Sequence, residues 1–122
     1  MNIYLAGPMR GYPAFNFPAF DFAAAKLRAE GHVVFSPAER DRTIHGVALE
    51  DNPTGDEAIA TASVGFSLRE ALGADTEYIC KHADTIALLP GWEKSSGVTA
   101  ERALAIALGL TQIILGRDYA AQ

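Results

Sequence analysis

Short apolar runs alternate along this chain with stretches of helical period. Asn2 to Ala6 predicts a strand that ends at Gly7-Pro8. From Asn16 the spacing of Phe20, Ala24 and Leu27 predicts a helix, with Asn16 as N-cap, Pro18 in the first turn and Gly31 as the stop. His32 to Ser36 reads as a second strand halted by Pro37, which completes a strand, helix, strand unit of the size a parallel crossover needs. Between Pro37 and Val64 no clean period emerges, and Asp, Asn, Gly, Thr and Pro dominate; such a segment predicts a lid or binding loop with a short helical turn. Ser67 and Glu70 form a capping-box pair at the head of a helix with Leu68, Leu72 and Ile79 on one stripe, though Gly73 weakens it. "TIALLP" (85–90) predicts a buried strand, "GVTAERALAIALG" a helix stopped by Gly109, and "QIILG" a last strand. No internal repeat interrupts this alternation, which predicts an α/β fold: a three-layer sandwich around a small, mostly parallel sheet, one domain over residues 1–122. Ligands of such sheets bind outside the carboxyl ends of the strands, so the loops at 7–13, 37–45 and 90–97 are where chemistry is expected.

Composition narrows the choice of partners. Half of the chain is hydrophobic (49%) and a fifth is charged (20%), as in an ordinary globular domain. No membrane span and no leader segment are expected, and hence a cytoplasmic setting. The net charge of −5 is a poor footprint for gripping a polyanionic nucleic acid, so a small nucleotide is a better ligand than a polymer, and any anion must be held by a local arrangement. Cys80 stands alone, which excludes an internal disulfide and a multi-cysteine zinc site; His32, His45 and His82 lack ligand spacing, and no metal or cofactor is expected.

Three places could carry chemistry. Gly7, Pro8, Met9, Arg10 and Gly11 follow the first strand. The glycines would let backbone N–H groups approach a ligand, and Arg10 offers a planar charged fork for phosphate or carboxylate. Taken alone, the same residues read first as a tight turn with a solvated arginine. Ser95, Ser96 and Gly97 would place donors at the positive end of a helix, although one serine as a plain N-cap is the simpler reading. Glu101, one turn into that helix, would be kept ionised by the dipole, as a carboxylate nucleophile requires. Asp75 could supply the second carboxyl group that glycosyl transfer through a covalent intermediate needs, and Tyr4 within the first strand needs a partner for its hydroxyl. Trp92 reads equally as a base-stacking residue or as cover for the sheet edge.

The series "IYLAGPMRG", an Asp on the penultimate helix, "ADTIALLPG", and then Ser95, Gly97 and Glu101 resembles the nucleoside 2-deoxyribosyltransferase superfamily. It is similar in particular to a branch of small phage and bacterial proteins with the pattern "LAGPM-G…FNFPAF…G-VFSPAE…AD-IALLPGWE-S-G". The resemblance implies a flavodoxin-like, nucleoside deoxyribosyltransferase-like fold and N-glycosidic chemistry on a 2′-deoxynucleoside or its 5′-monophosphate. It gives Glu101 the role of nucleophile, Tyr4 that of orienting it, and Asp75 that of acid near the leaving base. Arg10 and Gly11 with Ser95 become the holders of a 5′-phosphate, and the opening loop a phosphate clamp. The family's "D-x-G-T" before the nucleophile stands here as "SSGVT". A homo-oligomer is expected by the same resemblance, with weak support from Trp92, Phe15, Phe17 and Phe20 as exposed aromatics. The expected activity is that of an N-glycosidase or deoxyribosyltransferase; a non-catalytic nucleotide-binding protein using the same cleft, or a purely structural module, remains as an alternative.

Overall fold

The computed structural model describes residues 1–46, 49, 51–65 and 67–120. Within them four strands, β1 (Asn2–Ala6), β2 (Val33–Phe35), β3 (Thr85–Leu88) and β4 (Thr111–Ile114), form one parallel sheet in the order β2-β1-β3-β4. The helices are α1 (Phe17–Ala29), α2 (Pro37–His45), α3 (Glu57–Val64), α4 (Leu68–Lys81) and α5 (Ser96–Ala107). Among the described residues no helix is long and apolar enough to cross a membrane.

Strand alternation sorts β1 between two cores. Ile3 and Leu5 pack on the face covered by α1, with Phe17, Phe20, Ala24 and Leu27. Tyr4 and Ala6 point to the opposite face, against Ile79 of α4 and Val98 and Ala105 of α5. Sheet and helices thus make the three layers of an α/β sandwich, and a strand buried on both faces needs the continuous apolar run that β1 has. Each fully buried Phe or Leu contributes roughly 1.5–3 kcal/mol. The chain leaves β1 toward β2 on one side and returns to β3 on the other, so the switch point lies between the carboxyl ends of β1 and β3.

Three expectations are corrected. The 37–64 segment is not one loop: it holds α2 and α3, while residues 47, 48 and 50 lie outside the described residues. Helix α2 starts with Pro37, which suits a first helical turn, and Arg42 near its end pairs with Asp21 of α1 at 2.8 Å. Helix α3 is capped by Asp56, whose Oδ1 accepts the Ala58 and Ile59 N–H groups at 2.8 and 3.2 Å. Second, Asn16 precedes α1 but does not cap it with its side chain. Its backbone is left-handed (φ 62°), and its Nδ2 donates to the Pro8 carbonyl at 2.9 Å, bracing the loop after β1. Third, Phe15, Phe17 and Phe20 are core residues, so they offer no surface to a partner.

The glycines of the opening loop have separate causes. A Cβ on Gly7 would stand 2.8 Å from both Cβ and Cδ1 of Leu89, so β1 and the segment after β3 converge there only because the side chain is missing. Gly11 adopts φ +81°, a left-handed conformation that glycine enters without penalty. Gly7→Ala is therefore expected to destabilise the fold by about 1–3 kcal/mol through overpacking, read as a Tm lower by at least about 4 °C; an unchanged melting curve would contradict the close approach.

Candidate functional site

The switch point opens into a cavity of about 410 Å³. All three segments singled out in the sequence reach it: Gly7, Pro8, Met9 and Arg10 after β1, Pro37 and Asp41 of α2, and Lys94 to Gly97 before and at the start of α5. Asp75 of α4, Tyr4 of β1, Glu101 of α5 and Tyr12 add to its polar lining. Leu49, Leu68, Ala71, Leu72 and Phe15 make much of the remainder apolar.

Deepest in this lining is Tyr4, fully buried, whose hydroxyl donates to Glu101 Oε2 at 2.6 Å. Even-numbered positions of β1 face α4 and α5, which is why the strand residue and the helix residue meet. Ser95 caps α5 by accepting the Val98 N–H at 3.2 Å, so its hydroxyl oxygen does the simpler of the two tasks considered for it. That register sets Glu101 in the second turn, beyond the reach of most of the helix dipole. The expectation that the dipole keeps Glu101 ionised is accordingly overturned. Burial pushes its carboxyl up to about 8; the Tyr4 hydrogen bond pulls it down, and the Asp75 charge adds to the rise.

Asp75 is also buried, and its Oδ1 has no hydrogen-bond partner. Burial raises it to about 7, with a further push from Asp41 and opposing pulls from Arg40 and the Tyr4 hydroxyl. Tyr4 itself is raised well above the usual phenol range, first by burial and then by the two neighbouring carboxylates. Asp41 is a residue that the sequence reading missed. It sits one helical turn after Pro37, is buried and paired with Arg40 at 3.1 Å, and is raised mainly by burial. Its signal in the sequence is its position four residues beyond a proline at a strand's carboxyl end, a signal that counts only once α2 is recognised as a helix.

At the other end of the cavity the side chains are exposed. Arg10 Nη2 donates to Ser96 Oγ at 2.9 Å, and Nη1 lies 3.6 Å from Glu57 Oε2 of α3. Its backbone is held by an arch from the 52–56 turn. Gly11 N–H donates to the Gly55 carbonyl at 2.9 Å, and Ala14 N–H to the Asn52 carbonyl at 2.8 Å. Asn52 is buried and organises this turn, its Oδ1 accepting from the backbone N–H of Thr54, Gly55 and Asp56. The Gly11 donor is thus spent inside the protein, and Gly11 lines a neighbouring groove instead of the main cavity. Trp92 is outside the cavity too: it packs against the α4/α5 core with the Arg102 guanidinium 5.0 Å from its ring. It therefore covers a core on one face of the sheet, not the sheet edge, and does not line the cavity where a base would stack.

Residues 1–114 match the family model described as Domain of unknown function (DUF4406), and the chain belongs to that family. No curated protein and no solved structure matches it.

Carboxyl groups that hold their protons more tightly when folded make stability depend on pH. The unfolded chain releases these protons near pH 4, while folded Asp75 and Glu101 keep them to about 7 and about 8. Their contribution is complete below pH 4 and is lost as pH rises through those folded values. Glu101→Gln removes the larger shift and keeps an acceptor for Tyr4. At pH 8 the variant is expected to be more stable than the wild type by on the order of 4 kcal/mol, and most of the gap should close by pH 5. Thermal melts of both proteins across that range check this, and parallel curves would contradict it.

Proposed function

We propose that the cavity binds a 2′-deoxynucleoside 5′-monophosphate and that Glu101 breaks its N-glycosidic bond. The observation that carries this reading is the 2.6 Å hydrogen bond from Tyr4 to Glu101, set in a cavity that also holds Asp75 and Arg10. A tyrosine donating to one oxygen of a carboxylate fixes its orientation and leaves the other oxygen for attack. The hydrogen bond also favours the ionised form that attack requires.

In the first step an oxygen of Glu101 forms a bond to C1′ while the bond from C1′ to the base nitrogen breaks. The electron pair leaves with the base, which takes a proton from Asp75. The transition state has oxocarbenium character, and without a 2′-hydroxyl group that cation forms more readily. In the second step ionised Asp75 accepts a proton from water as the water oxygen attacks C1′. The bond to Glu101 breaks with its electron pair returning to the carboxylate, which releases 2-deoxyribose 5-phosphate. A second base in place of water would make the reaction a transfer. Arg10, held by Ser96, supplies the charge and donors for the 5′-phosphate.

One observation favours a second reading. With Glu101 raised to about 8, much of it is neutral at pH 7, as suits a site that binds a nucleotide through carboxylic acid donors and does not cleave it.

Incubation with the four deoxynucleoside 5′-monophosphates separates the two. Cleavage predicts release of free base, lowered at least ~10³-fold by Glu101→Ala and about 10–100-fold by Tyr4→Phe. The reactive pair carries one proton, so kcat/KM should be bell-shaped with its maximum between about 7 and about 8, falling at acid pH as Glu101 is protonated and at alkaline pH as Asp75 ionises. Base release that survives Glu101→Ala would overturn the assignment, and binding without release would favour the second reading.

A further inference from the structure

Arg10 does not mark the end of the ligand path. On its far side an open groove continues over the start of α3, lined by Arg10, Gly11, Thr54, Gly55, Asp56 and Glu57 among others. The guanidinium stands at the junction: Nη2 meets Ser96 at the mouth of the main cavity, and Nη1 faces Glu57 in the groove. Glu57 and Asp56 are the acidic residues of this groove. Asp56 is fixed there because its Oδ1 holds the first turn of α3 through the Ala58 and Ile59 N–H groups, so it cannot swing aside.

We propose that Glu57, backed by Asp56, is a specificity-determining residue that admits a single terminal phosphate and rejects a chain of two or three. This rests on the reading of Arg10 as a phosphate clamp. A first phosphate on Arg10 gains a guanidinium partner and the Ser96 hydroxyl. A second phosphate attached to it has the groove as its outlet, where the outer face of Arg10 is already engaged by Glu57 and the next charge is Asp56. The repulsive element stands where the unwanted group would sit, which is how a site discriminates between ligands that share every other contact. Glu57 is partly exposed, so the effect is moderate and weakens as salt rises.

The test measures binding of deoxynucleoside 5′-monophosphates and 5′-diphosphates of the four bases by calorimetry at low salt, with Glu101→Gln as the parent so that bound nucleotide is not consumed, and with Glu57→Gln, Glu57→Lys and Arg10→Ala each added to it and confirmed folded by its melting curve. The parent is expected to prefer the monophosphate by about 10-fold. Glu57→Gln should narrow that ratio by at least about 3-fold, the size of a partly exposed charge contact, and Glu57→Lys should narrow it further. A ratio that neither variant moves, while Arg10→Ala weakens monophosphate binding, overturns the role of Glu57 and leaves the clamp standing. Monophosphate affinity unchanged in Arg10→Ala overturns the clamp itself, and this inference with it.

Discussion

The hydrogen bond between Tyr4 and Glu101 ties the centre of the sheet to the helix that starts beyond the carboxyl end of β3 and packs on one face. It exists because β1 alternates: the same strand that sends Ile3 and Leu5 into the α1 core turns Tyr4 toward α5. A tyrosine hydroxyl buried there needs a partner, and a buried carboxyl group needs a donor; each meets the other's requirement at short range. Asp75 joins the pair from α4 without a partner for its Oδ1, and burial raises both acids. Groups of this kind weaken a fold near neutral pH, and such a burden is carried most readily where function requires it.

The cavity is graded along its length. Tyr4, Asp75, Asp41 and Glu101 lie buried at one end, where charge is disfavoured and protons are held. Arg10 and Ser96 lie exposed at the other, where the contact of Arg10 with Glu57 of the adjoining groove competes with solvent. A ligand with an ionic group at one end and a protonatable apolar ring at the other matches that gradient. The apolar wall of Leu49, Leu68, Ala71 and Leu72 suits the ring. The exposed end depends on the Asn52 turn, which fixes Gly11 and, through it, the backbone that carries Arg10.

Much of this was legible in the sequence because it is local. The β1 run, the Ser67 cap, the helix from Ser96 and the residues Tyr4, Asp75, Glu101 and Arg10 follow from periodicity, turn chemistry or motif order. What was not legible depends on long-range burial. Helix α2 shows little apolar period because its contacts are divided between α1 and α4, and α3 is brief and anchored by Ala60. Asp41 vanished from view with α2. Asn16 carries a cap-forming side chain, but three successive left-handed residues, Ala14 to Asn16, turn it toward Pro8 instead. The ionisation of Glu101 was misjudged because the helix dipole is readable from sequence, whereas the desolvation that outweighs it appears only when three elements close over the carboxyl group.

In the proposed complex one nucleotide spans the cavity, phosphate on Arg10 and anomeric carbon beside Glu101. The sharpest test is a crystal structure of Glu101→Gln with a bound deoxynucleoside 5′-monophosphate. Phosphate oxygens are expected within hydrogen-bonding distance of the Arg10 guanidinium, C1′ facing the side chain at position 101, and the base on the Asp75 side. A nucleotide bound in the reverse sense, or seated away from either residue, would contradict it.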